Sequence, residues 1–400
     1  MLTRAKMDVL IGDDVVGSLE RRGKGYVFEY AEGVTPDKSV SLTMPVGLET
    51  VESEALHPIF AMNLPEGYVL SRLRARLAKS TPLDPMLLLA RTSIGQPIGR
   101  VRVAEPGAAH PVVNGQPLES ILAYKGAESV FSALEERYLG RSAVSGMQPK
   151  LLVPEERKKA SLQDHAPLLI GEFIVKAAGS NVPGLAINEF VCMTIAKEAG
   201  MSVPEFYLSD DRELFVMRRF DRTEDGKALG FEDFNALMGR SSEDSESKYR
   251  GSYNDAAEVI EAYVSPEFIT SALRQLFDTV ALSCIVGNGD AHLKNFGVIY
   301  TDPQADDIRM SPVYDVTNTT AYLQNDNLAL DLMGNRGFFA GRIGLQAFGK
   351  RCGVKEPWAR VEAIIDAAEA ILYTQADLLA SVSNVQTALR AQVSSFTNAT

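Results

Sequence analysis

Four hundred residues exceed what one ordinary core holds, so the length favours two or three packed units. A content of 46% hydrophobic and 23% charged residues excludes a disordered chain and reads as soluble and globular. The formal charge of -12 argues against a general nucleic-acid-binding surface, because phosphate attraction needs clustered Lys and Arg.

The N-terminal hundred residues begin β-rich: Val9 and Ile11 alternate, Gly12-Asp-Asp14 turns, and Tyr26, Phe28 and Tyr30 alternate again, as do Val40, Leu42 and Met44. Tyr68 to Leu77 is helical, and Leu87 to Ala90 continues toward Gly95. Residues 1–105 therefore read as a small α+β unit. The Pro-, Gly- and Ala-rich stretch 104–118 reads as a linker. Glu119 to Tyr138 is helical, broken near Gly126, and the linker with this helix spans 106–140. Strands are expected at Leu151–Val153 and Leu168–Val175, a helix at Ile187–Ala199 closed by Gly200, and a hairpin from Glu205–Leu208 and Leu214–Met217. These make a lobe over 141–225. From about Phe231 the chain reads as mainly helical (226–400), with a polar charged loop at 241–251, a long helix at Pro266–Val286, and a core-packing seam at Trp358, Ile365, Leu372 and Leu379.

Cys192, Cys284 and Cys352 are far apart in apolar contexts and read as buried reduced thiols. The four histidines are too scattered for a zinc cluster. No secretory signal pattern follows Met1, and no apolar run approaches the roughly 20 residues that span a bilayer, so the cytoplasm is the expected compartment, with no membrane partner.

The chemistry concentrates in Gly287-Asn-Gly-Asp-Ala-His-Leu-Lys-Asn-Phe296 and Ser311-Pro-Val-Tyr-Asp315. Asp290 followed five residues later by Asn295 is the spacing of a kinase catalytic loop, in which the Asp takes the acceptor proton and the Asn holds Mg²⁺. Asp315 is the second hard-oxygen metal ligand. Upstream stand a Gly/Ser turn (Ser145, Gly146, Met147, Gln148, Pro149, Lys150), Lys176 at a strand end, Glu189 in the first turn of a helix, and a hinge near Met217, Arg218 and Phe220. Singly these have ordinary explanations: Asp and Asn suit loops, Lys176 could be a solvated strand end, and Glu189 suits a helix N-terminus. Their order is that of a protein-kinase-like, two-lobed α+β fold: phosphate-covering loop, strand Lys, helix Glu, hinge, catalytic loop, metal Asp.

Val144-Ser-Gly-Met-Gln-Pro-Lys150, the Gly287–Phe296 run and Pro312-Val-Tyr-Asp315 together resemble the HipA family of bacterial serine/threonine kinases, toxins of HipBA-type toxin–antitoxin modules. Asn188-Glu189, Arg219-Phe-Asp-Arg222 and Asn63-Leu-Pro-Glu-Gly67 are weaker matches. The resemblance implies ATP and Mg²⁺ as cofactors, Asp290 as base, Asn295 and Asp315 as metal ligands, and Lys176 on the phosphates. It places His292, Lys294 and Tyr314 near the nucleotide. It further implies a translation protein such as an aminoacyl-tRNA synthetase as substrate, and a HipB-like helix-turn-helix antitoxin as partner, with DNA reached mainly through that antitoxin. One departure stands out: where family members often carry an autophosphorylated serine, this chain has Ala143, flanked by Ser142 and Ser145. Two rival readings are a small-molecule or lipid-headgroup kinase, and a non-enzymatic pseudokinase platform. Intact Lys176, Asp290, Asn295 and Asp315 argue against the second.

Overall fold

The computed structural model describes residues 6–47, 50–77, 84–93, 97–108, 115–123, 130–139, 148–155, 172–178, 182–240, 244–339 and 341–397. The N-terminal unit is an antiparallel five-stranded sheet of β1 (Lys6–Ile11), β2 (Asp14–Arg22), β3 (Gly25–Tyr30), β4 (Val51–Ser53) and β5 (Val101–Ala104), in the order β4-β3-β2-β1-β5. Val9 and Phe28, both read as alternating strand positions, face its core together with Leu19, and Gly12 makes the β1–β2 turn at φ +61°. Helices α1 (Pro58–Ala61), α2 (Gly67–Leu77) and α3 (Pro85–Thr92) follow β4. Val40 to Met44 is not the expected strand but a tight turn closed by a Ser41–Met44 bridge. Its polar groups go elsewhere: the Ser41 hydroxyl and the Leu42 amide both donate to the buried Glu232 carboxylate, at 2.6 and 2.8 Å. A strand ladder would leave that carboxylate short of partners.

Two short helices, α4 (Leu118–Leu122) and α5 (Val130–Tyr138), lead to a four-stranded antiparallel sheet. It consists of β6 (Lys150–Pro154), β7 (Glu172–Ala177), β8 (Phe206–Leu208) and β9 (Leu214–Arg218), ordered β6-β7-β9-β8. Helix α6 (Leu185–Glu198) lies against it and ends at Gly200, whose φ is +75°. The β8–β9 hairpin matches its sequence signature.

The third part is not purely helical. A three-stranded sheet, β10 (Gly230–Asp233), β11 (Gly297–Tyr300) and β12 (Arg309–Met310), is formed by strands that precede and follow the Gly287–Phe296 loop. Around it pack α7 (Phe234–Leu237), α8 (Tyr253–Tyr263), α9 (Ile269–Val286), α10 (Gly341–Arg351), α11 (Pro357–Thr374), α12 (Ala376–Ala380) and α13 (Ser383–Thr397). Helix α9 is long and apolar enough to cross a bilayer, yet it lies at the centre of this lobe with residues 276–286 all buried. The seam at Ile365, Leu372 and Leu379 is buried core, shared with Ile364 and Ile371, but the helix breaks at Gln375. Phe231 and Ile299, from the third sheet, belong to the apolar core of the N-terminal unit. The two parts therefore share one interior.

Candidate active site

Helix α9 stops at Gly287, which takes φ +70°, and the chain then turns through Asn288 and Gly289 to Asp290. A side chain at Gly289 would start 2.0 Å from Asp326 Oδ2 and 2.6 Å from the Asn327 carbonyl, so the turn needs glycine on space alone. Asn295 closes the loop: its side-chain amide donates to the Asp290 carbonyl at 2.7 Å. Asp315 arrives from the other side, after β12, in the left-handed region at φ +59°. A non-glycine residue there is a local strain, held by its neighbours. Tyr314 donates its hydroxyl to the Lys294 carbonyl (2.7 Å), and the Asn318 and Asn188 amides bond reciprocally to each other's backbone and side chain at 2.8 Å. Asn188 is thus a structural tie between α6 and the Asp315 loop.

Lys150 on β6 and Lys176 on β7 are direct antiparallel partners, and both ammonium groups are buried. Two such like charges side by side need counter-charge. Lys176 Nζ donates to Glu189 Oε1 at 2.5 Å and Asp315 Oδ1 at 2.6 Å, and Lys150 Nζ lies 3.9 Å from Asp315 Oδ2. Burial would push the Asp315 carboxyl up, but Lys176 and Lys150 hold it well below the usual range. Burial alone would lower Lys176, and the Asp315 and Glu189 carboxylates outweigh it. Glu189 is pushed up to about 7, by burial first, with Lys176 opposing the shift and the negative charge of Asp315 adding to it. His292 is neutral, held at about 3 by burial and by Lys248.

Asp290 is the most open of these groups, with its side chain half-exposed. The cleft walls raise its carboxyl above the ordinary value, opposed by Lys248 and by a hydrogen bond from Tyr249. All of this opens onto one cavity of about 650 Å³ between the sheet lobe and the helical lobe. Its walls include Gln148, Lys150, Lys176, Met217, Phe220, Asp290, His292, Lys294, Asn295, Tyr314 and Asp315, so these predicted residues converge although they span 168 positions of sequence. Asn295 and Asp315 are the hard-oxygen donors that could hold a divalent cation there.

Three placements differ from expectation or lie beyond reach. Arg218 does not line the cavity: strand alternation turns it to the face opposite Met217, where it pairs with Glu155 (2.6 Å) and Glu205 (2.9 Å) and covers the Phe173 ring. Glu189 sits behind Lys176 and positions it. Ser145, Gly146 and Met147, with Ala143, lie outside the described residues. Sequence reasoning missed Lys248 and Tyr249, Asp233, and the N-terminal Met62, Tyr68 and Ile98, all of which also line the cavity. Burial pushes the Asp233 carboxyl up to about 6, although Lys294 draws it down. No local signal marks any of these residues.

A sheet lobe over a helical lobe, with a buried Lys–Glu pair facing an Asp-bearing loop across a cleft, defines a kinase-like fold. The HipA N-terminal domain family matches residues 7–104, and the HipA-like C-terminal domain family matches residues 142–375. The chain belongs to the HipA family and is a HipA-like kinase. It is 28% identical over 355 residues to "Putative kinase Y4dM" of Sinorhizobium fredii (strain NBRC 101917 / NGR234), covering 81% of this chain and 79% of that protein. It is 27% identical over 404 residues to "Putative kinase Y4mE" of the same strain, covering 91% of each. The fold is also that of HipA in the Shewanella oneidensis MR-1 toxin–antitoxin complex of HipA, HipB and operator DNA. There the TM-score is 0.64 at 19% identity, over 97% of this chain and 96% of that one.

Proposed function

We propose that this chain is an ATP- and Mg²⁺-dependent protein serine/threonine kinase. On this reading it acts in the cytoplasm on a hydroxyl of a translation protein, an aminoacyl-tRNA synthetase being the class implied, and so inhibits growth. A HipB-like helix-turn-helix antitoxin is its partner and its link to DNA. The observation that carries the reading is that Asp290 and the Lys176–Asp315 pair open onto the same cavity.

Each side chain has a task in that chemistry. Phe220 and Met217 offer an apolar bed for the base, and Lys176 and Lys150 face the phosphates. Binding nucleotide would draw Lys176 from Asp315 toward phosphate oxygens and free Asp315 Oδ1 as a ligand. Among the described residues no group of three or more His, Cys, Asp or Glu is placed to hold a metal ion, so a cation here would rest on Asn295 and Asp315. Such a small set suits Mg²⁺, which keeps waters and phosphate oxygens in its shell. When bound, the ion neutralises charge on the transferred phosphoryl group. Asp290 accepts the acceptor-hydroxyl proton as the oxygen attacks.

The test is phosphoryl transfer from [γ-³²P]ATP with Mg²⁺ to a mixed protein acceptor, beside Asp290→Ala. We expect Asp290→Ala to lose label by at least about a hundredfold, the usual scale for general acid–base groups. Equal labelling by both proteins would end the kinase assignment.

A further inference from the structure

The run 241–251 reads in sequence as a solvated charged loop, yet it delivers two side chains into the active site. Residues Ser247–Tyr249 form a single 3-10 turn, and from it Lys248 and Tyr249 both reach the cavity wall beside Asp290. The turn is anchored from behind: Arg240 donates to the Ser247 carbonyl (3.2 Å) and the Arg250 carbonyl (2.6 Å), and Arg336 donates to the Tyr249 carbonyl (3.3 Å). The Tyr249 ring stands edge-on to His292, with centroids 5.2 Å apart, and Lys248 Nζ lies 5.0 Å from the Tyr249 ring centroid. The ring is therefore in contact with both His292 and Lys248.

Its hydroxyl donates to Asp290 Oδ1 at 2.8 Å. His292 Nε2 lies 3.7 Å from the same oxygen, and Lys248 adds its charge nearby. Tyr249 and His292 thus converge on Oδ1. Rotation about the last side-chain bond would otherwise let the plane of a half-exposed carboxylate swing, so a fixed partner on one oxygen sets the direction in which the other points.

We propose that Tyr249 is a positioning residue for phosphoryl transfer: it pins Oδ1 of Asp290 and so presents Oδ2 to the incoming acceptor hydroxyl, with His292 and Lys248 both packed against the tyrosine ring. The inference rests on Asp290 acting as the base in the reading above. The hydroxyl proton passes to Oδ2 as the acceptor oxygen bonds to the γ-phosphorus and the bond to the β-phosphate oxygen breaks, releasing ADP. Tyr249 keeps its own proton throughout. Burial, Asp290 and Glu246 all favour the neutral phenol, so it serves as a steady donor. A misaimed base costs rate rather than nucleotide affinity, because Tyr249 holds Asp290 and not the phosphate-binding lysines.

The experiment uses the full chain with Tyr249→Phe, which removes one oxygen and keeps the packed ring, and a second variant carrying 4-aminophenylalanine at position 249, which restores a donor at the same point. Transfer to a protein acceptor gives kcat, and binding of a fluorescent ATP analogue gives nucleotide affinity. Tyr249→Phe should lower kcat about tenfold, with nucleotide affinity unchanged within twofold, and the amino variant should recover kcat to within threefold of the natural chain. A kcat within twofold of the natural chain in Tyr249→Phe, or an amino variant no faster than the Phe variant, overturns the proposal. If the natural chain itself transfers no phosphate, the kinase reading fails first. If it does and Tyr249→Phe is indifferent, only the role of Tyr249 fails.

Discussion

The buried charges around Lys176 set the pH response of this protein. Two ammonium groups and two carboxylates share one enclosed space, and Asp315 takes the larger share of the positive charge. Glu189 is left with one ammonium contact, on Oε1, and a buried Oε2 without a hydrogen-bond partner. Its folded-state carboxyl therefore titrates at about 7, above its ordinary 4.5. A carboxyl raised in this way binds its proton more tightly folded than unfolded. The stability it contributes is complete below about pH 4.5 and is lost as pH rises through about 7. Glu189→Gln removes that loss. The melting temperature of Glu189→Gln relative to the natural chain should rise between about pH 4.5 and pH 7 and level off above that, read by thermal unfolding across a pH series. A difference that stays flat or falls contradicts a Glu189 carboxyl raised by burial and by the neighbouring Asp315 charge. At this scale the sequence was informative: spacing and order picked out Lys176, Glu189, Asp290, Asn295 and Asp315. It was silent on Tyr249, because a tyrosine within a charged run looks solvated and its contact with Asp290 crosses 41 positions.

Among the elements, legibility followed length and locality. Helices α6 and α9 and the β8–β9 hairpin were readable because their periodicity and caps lie within a few residues. The sheet β10-β11-β12 was not: its strands have two to four residues, and β10 pairs with β11 across the whole catalytic loop, Gly230 opposite Tyr300. No two-residue alternation can show in so short a strand. That sheet holds the catalytic loop at its far end, while Gly289 sets its near end. The Gly289 position meets backbone, the Asn327 carbonyl, as well as the Asp326 side chain, so a methyl group cannot be absorbed by one side chain swinging away. Gly289→Ala should shift Asp290 relative to the cavity wall. The expected result is a fall in kcat of about ten- to a hundredfold, the upper figure being what a misplacement near 1 Å can cost, with a smaller loss of thermal stability. Unchanged transfer kinetics would show that the loop tolerates the displacement.

Over the whole molecule, the joint between the N-terminal unit and the kinase lobes is ionic as well as apolar. Arg219, Arg222, Glu172 and Asp221 are buried together where β9 leaves the second sheet. Arg219 donates to Asp221 at 2.6 and 2.9 Å and to the Pro97 carbonyl at 2.7 Å. Arg222 also donates to the Pro97 carbonyl (3.0 Å), and Asp221 accepts from the Gly99 amide at 2.7 Å. The Arg219-Phe-Asp-Arg222 motif is therefore a staple onto the Pro97–Gly99 segment of the first unit. Nearby, Lys294 of the catalytic loop pairs with Glu66 at 2.7 Å, so the same joint reaches the active site. Two guanidinium groups balance two carboxylates, and Asp221 touches both guanidiniums and the first unit. Asp221→Asn keeps the shape but leaves two buried cations with one carboxylate. Removing one partner of a buried pair typically costs about 3–5 kcal/mol, which should appear as a large drop in the urea midpoint at pH 7. Because Asp221 binds Gly99 directly, the variant should also loosen the first unit from the rest. Limited proteolysis should then release a fragment near 11 kDa from its N-terminus, a size set by about 100 residues at about 110 Da each, while the natural chain resists. A variant as stable and as resistant as the natural chain would mean that the apolar contacts of Phe231 and Ile299 hold the joint without the staple.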